Sequence, residues 1–173
     1  MPKPYPKEFR DDVVAVEQLA TAHGGPFVPA DFVIPEPPPM DSPRGVLRLK
    51  PLGEKHAESD FRAWTGSLEH IRATRGFPWD GWPPLDGSID LAGNREDMLR
   101  HARHFAARQG FTWTVLDDSD ECAGCVYVYP DRQADAELHT WMVSSRALDD
   151  EALRHHVLGW LISEWPFAGI EAH

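Results

Sequence analysis

The 173-residue chain suits one domain whose core is stable without staples. It has 28 acidic residues against 17 basic ones, and the net charge of -11 excludes nucleic acid and anionic membrane as main partners, since both demand a basic surface. No apolar run approaches the ~18 residues that span a bilayer. The opening MPKPYPKEFRDD lacks the apolar stretch of a secretory signal, so the expected compartment is the cytoplasm.

Residues 1–45 read as a proline-rich arm. Val13, Val16, Leu19 and Ala20 stand near helical spacing, so one short helix is expected there, stopped by Gly24 and Gly25. The segment PADFVIPEPPPMDSPRG is expected to be extended, because closely spaced prolines forbid helix and sheet ladders. It would lie on the domain or on a partner subunit.

The folded domain is expected over residues 46–173. VLRLKPL alternates around Arg48 and Lys50, as an edge strand does. A helix is predicted from about His56 to Ala73, with Phe61, Trp64, Leu68 and Ile71 on one face. The loop GFPWDGWPPLDGS follows, of a length and composition that often packs over a cleft. A second helix, from Ile89 or Asp90 to Gln109, shows a stripe of Leu91, Met98, Ala102, Phe105 and Ala106, and Gly110 would cap it. Arg95, Arg100, Arg103 and Arg108, with two histidines, then fall on a solvated outer face.

FTWTVLD, the polar turn DSDE and CAGCVYVYP predict a hairpin, and AELHTWMV a third strand. Cys125, Tyr127 and Tyr129 oppose Val126 and Val128, while Glu137, His139, Trp141 and Val143 oppose Leu138, Thr140 and Met142. The two cysteines, Cys122 and Cys125, form a CxxC pair without a second ligand pair at zinc-finger spacing, so buried thiols are expected. An offset of three separates their faces unless a bulge at Gly124 intervenes. The last helix starts at Asp149 or Asp150, buries Leu153, Val157, Trp160 and Leu161, and ends at Pro166, leaving AGIEAH for a short strand.

Two stretches resemble known families. KPYPKEFRDDVVAV resembles the opening of transposase helix-turn-helix domains, but no basic recognition helix follows, and it implies no DNA binding. LRLKPLGEKHAESDFRAWTGSLEHIRATRGFPWDGWP, the hairpin, and DAELHTWMV with the helix ending in EWPF together resemble the GNAT superfamily of N-acetyltransferases, most closely an actinobacterial GNAT-like group, over roughly residues 30–173. The resemblance implies an α/β (α+β) fold: a mixed, mostly antiparallel sheet flanked by helices, here without the family's last helix and strands. A homodimer is the expected cover for the sheet edge so exposed.

The resemblance also implies a site. Glu137 falls where many members place a general base acting on an acceptor amine, and strand spacing sets His139 on the same face, so the two converge on a cleft or decorate a solvent-facing side. Backbone at Met142 and Val143 would contact the pantetheine arm of acetyl-CoA, with Arg146 near phosphate. The family's pyrophosphate loop, Arg/Gln-x-x-Gly-x-Gly/Ala, falls on Arg146, Ala147, Leu148, Asp149, Asp150 and Glu151, where acids replace the small residues. Carboxylates there repel phosphate and block the close approach that glycine permits. Two functions are therefore expected: an acyl-CoA-dependent N-acetyltransferase with a degenerate cofactor loop, or a non-enzymatic GNAT-like protein binding a small-molecule amine, another small ligand or a partner.

No metal is expected. His101 and His104 stand one turn apart near Asp97, and His155 and His156 are adjacent, but without an HExxH pattern these read as surface histidines. Trp64, Trp79, Trp82 and Trp113 are candidates to line a pocket, Trp79 and Trp82 foremost, or else to be core.

Overall fold

The computed structural model describes residues 27–173, so the helix expected near residues 13–20 lies outside the described residues. Six strands form one sheet in sequence order: β1 (Met40–Ser42), β2 (Gly45–Pro51), β3 (Phe111–Leu116), β4 (Cys122–Pro130), β5 (Ala136–Met142) and β6 (Ile170–Ala172). The first five pair antiparallel, and β6 joins β5 parallel. Helices α1 (Ala57–Thr65), α2 (Leu68–Ala73) and α3 (Leu91–Ala106) separate β2 from β3, while α4 (Asp150–Glu164) makes the crossover that a parallel pair requires.

Both faces of the sheet are covered, so every residue of β3, β4 and β5 is buried. Leu153, Val157, Trp160 and Leu161 of α4 pack on one face with Trp113, Val126, Val128 and Leu138. The described part of the arm lies on this same core: Phe27 stacks on Phe111 and Phe167, and Phe32 meets Trp165. On the other face Trp64, Ile71, Trp79 and Trp82 pack on Cys125, Tyr127 and Trp141. The alternation expected along β4 and β5 is the one observed.

Several expectations need correction. The first long helix breaks at Gly66 and Ser67 into α1 and α2, although Trp64 and Ile71 still share one core. Strand β2 is not an edge. Met40–Ser42, from the proline-rich arm, folds back as β1 and pairs outside it. Trp113 belongs to the α4 side and not with the other three tryptophans.

Helix α3 is rotated from its expected stripe. Asn94, Asp97, Met98, Arg100, His101 and His104 are buried, while Ala106 is exposed. A polar face can be buried here because the sheet and α1 supply partners: Tyr129 Oη lies 2.8 Å from His101 Nδ1 and 3.1 Å from His104 Nδ1, and Asn94 accepts from Trp64 Nε1 at 3.1 Å. The expected cap at Gly110 is displaced too. Arg108 takes the left-handed conformation (φ 59°), and Gly110 is required instead for space, since a Cβ there would lie 2.1 Å from the Tyr129 ring.

Both cysteines are buried and free. The register of β3 against β4 skips Ala123, immediately before Gly124, so Cys122 and Cys125 both face the α3 side. Burial pushes both thiols far from ionisation, which suits packing and not redox chemistry. Among the described residues, no helix is long and apolar enough to cross a membrane.

Candidate functional site

Strand β5 carries Glu137, His139 and Trp141 on one face, as period-two alternation demands. Glu137 Oε2 stands 3.2 Å from His139 Nε2, so the two expected site residues converge. His139 is 3% exposed. Its ring lies flat between Trp79 (centroids 3.9 Å apart, 14° between planes) and His173 (4.4 Å, 19°).

His173 is a participant that sequence reasoning missed. The parallel register aligns Ala172 with Leu138, and the His173 amide donates to the Leu138 carbonyl at 3.0 Å. That bond sets the His173 ring over His139, with Nε2 3.8 Å from the same Glu137 oxygen. Two imidazoles thus face one carboxylate oxygen.

The floor of this group is Gly76, at φ +82°. A Cβ there would lie 2.6 Å from His173 Cβ and 3.0 Å from His139 Nδ1. His139 Nδ1 is buried against this backbone without a well-formed hydrogen bond. Burial lowers the His139 pKa to about 4, against a partial opposing effect of the Gly76 backbone. Burial and then the neighbouring His139 lower that of His173. Both rings are neutral at pH 7.

The tryptophan loop fills this face of the sheet; it does not line an open cleft. Trp79 and Trp82 exchange two backbone hydrogen bonds of 3.0 Å across Asp80 (φ 49°) and Gly81 (φ 80°), a tight turn of the I′ kind. Trp82 then packs on Trp64, Phe77 and Trp141. Among the described residues, a cavity of about 20 Å³ lies beneath, beside Asp60, Asn94, Asp97 and His101, with room for about one water. Burial raises the Asp60 pKa to about 7 there, partly offset by the Asn94 amide. His101 and His104, expected at the surface, are deep in this region and neutral, with burial lowering both.

The other expected site groups lie at the far end of β5, where the strand leaves β6. The Met142 amide donates to Asp150 Oδ1 at 3.0 Å, and Asp150 Oδ2 lies 2.7 Å from His70 Nε2. The Val143 amide donates to the Ala123 carbonyl at 2.8 Å. Residues Ser144–Asp149 wind into a 3-10 turn, in which the Arg146 amide donates to the Val143 carbonyl. Arg146 reaches Asp149 and Ser42 at 3.5 and 3.4 Å. Asp149, the N-cap of α4, makes no side-chain cap bond, and Asp150 directs its carboxylate to Met142 and His70.

As arranged, the Met142 and Val143 amides already have acceptors, the Arg146 amide donates within its own turn, and the carboxylates of Asp149 and Asp150 stand at the positions where the sequence resemblance sets a pyrophosphate loop, which does not favour acetyl-CoA there.

No protein-family model matches the sequence, and no curated protein matches it. Among solved structures, the chain is similar to the ribosomal-protein-S5-alanine acetyltransferase of Vibrio fischeri, with TM-score 0.51 and 13% identity over 72% of this chain and 67% of that one. It is also similar to a protein assigned as a ribosomal-protein-serine acetyltransferase of Vibrio cholerae, with TM-score 0.49 and 12% identity over 75% and 67% of the two chains. The chain has a GNAT-like fold, as its strand order and crossover helix indicate.

Proposed function

We propose that this chain is a GNAT-fold binding protein: it takes a small ligand at the rim formed by Glu137, His139 and His173, without using acetyl-CoA. The carrying observation is Asp150, which holds the Met142 amide and His70 at once. Opening that end of β5 for a cofactor requires breaking both contacts, releasing a half-buried carboxylate beside incoming phosphates. Like charges at ~4 Å repel by ~1–4 kcal/mol, depending on solvation. Fold likeness to acetyltransferases supplies an architecture; activity is argued from the site, where the Asp150 contacts to Met142 and His70 support a reading without the cofactor.

The rim is supported as the ligand position by its convergence of one carboxylate and two neutral imidazoles at the mouth of an otherwise filled face. A homodimer and a soluble cytoplasmic setting agree with this reading. Calorimetric titration of acetyl-CoA into the full chain is the test, with no heat expected up to millimolar concentration. Binding near micromolar would overturn the reading and restore acyl transfer to an amine, with Glu137 as general base.

A further inference from the structure

We infer that Glu137, His139 and His173 form a binding site for one divalent transition-metal ion of the zinc class, with the fourth ligand position open to solvent. This deepens the reading of the rim as a binding site and rests on it. Among the described residues, these three offer ligand atoms that all lie within 4.8 Å of one another.

The distances favour a shared ion. Zinc holds histidine nitrogen and carboxylate oxygen at ~2.0–2.2 Å, so neighbouring ligand atoms around a tetrahedral ion stand about 3.4 Å apart. Glu137 Oε2 to His139 Nε2 is 3.2 Å, and to His173 Nε2 it is 3.8 Å. Closing the widest separation in the group, at most 4.8 Å, to that spacing requires a shift of no more than about 1.4 Å. His173 can make it, because its side chain is 34% exposed.

Proton bookkeeping points the same way. A neutral imidazole has one donor nitrogen and one acceptor nitrogen. If His139 carries its proton on Nε2, the lone pair on Nδ1 is buried without a donor. If the proton is on Nδ1, beside the Gly76 backbone, the Nε2 lone pair faces a carboxylate oxygen at 3.2 Å. A cation between them resolves the second arrangement and leaves Nδ1–H for the backbone, the usual outer partner of a metal-bound histidine. Trp79 stacks on the His139 ring and fixes the direction of Nε2.

The test is titration of Zn²⁺ and Co²⁺ into the untagged full chain, by calorimetry and by visible absorption of the cobalt form. One equivalent with micromolar or tighter affinity is expected. His173→Ala and Glu137→Gln should each weaken it at least tenfold, while His155→Ala, on the exposed face of α4, should leave it unchanged. Circular dichroism of each variant checks that the fold persists. No binding up to millimolar metal would overturn the site, as would binding undiminished in both rim variants. Metal binding together with acetyl-CoA binding would sustain the site and sink the cofactor-free reading. Failure of both titrations would sink the metal and leave another small ligand for the rim.

Discussion

Asp150 joins the start of α4 to two other elements: one carboxylate oxygen accepts from the Met142 amide at 3.0 Å, and the other lies 2.7 Å from His70 Nε2 on α2. An acid at the first turn of a helix ordinarily complements that helix's own amides. Here it is spent on a strand and a neighbouring helix, and burial raises its pKa despite the His70 contact.

Asp150→Ala should therefore destabilise the fold by about 1–3 kcal/mol, the usual cost of leaving buried polar partners unsatisfied. Urea unfolding with an unchanged slope measures it. An unchanged midpoint would mean that the latch has no structural weight.

Stability should be greatest near neutral pH and fall on acidification from 6.5 toward 4. His101, His104 and His139 have folded pKa values below the ordinary 6.5, so the unfolded chain binds protons that the folded chain refuses. Asp60 acts in the opposite sense. Its folded pKa of about 7 lies above the ordinary 3.8, so its contribution falls as pH rises between those values. Three histidines outweigh it below 6.5. Thermal midpoints from pH 4 to 8 check the profile, and a flat profile would contradict the burial of these rings.

Asp60→Asn isolates the carboxylate. Its stability relative to the parent should improve steadily from pH 4 to 7 and then level off, because the variant no longer has a proton to lose. A pH-independent difference between the two proteins would show that Asp60 ionises normally.

Gly76→Ala should cost about 1–3 kcal/mol, combining left-handed backbone strain with a Cβ 2.6 Å from that of His173. The same variant should weaken metal binding, because it displaces the His173 ring. Parallel denaturation and cobalt titration would separate the two effects.

Tyr129→Phe removes the hydroxyl that meets both His101 and His104, at a cost of about 1–3 kcal/mol with little change in volume. Chemical denaturation measures the loss, and full parental stability would mean that these polar contacts are replaced within the cavity.

Strand faces were legible because alternation along β4 and β5 is local information, and Glu137 with His139 followed from it. The buried face of α3 was not. Asn94, His101 and His104 look solvent-facing until Trp64, Thr112 and Tyr129 are placed beneath them by contacts far away in sequence. His173 was missed for the same reason: a parallel register carries no turn that announces it. The Trp79–Trp82 turn did have a signal, the Asp-Gly pair at its centre, whose residues take the positive φ angles that such turns need.

Trp79 lies flat against His139 at 3.9 Å, so the indole is in electronic contact with the one imidazole that has Glu137 at its edge and His173 stacked on it. Any event that places positive charge on or beside that imidazole changes what the indole's π face meets. A cation entering the rim should therefore change Trp79 emission, an expected optical readout from a residue that would not ligate it, best followed with the other six tryptophans as background.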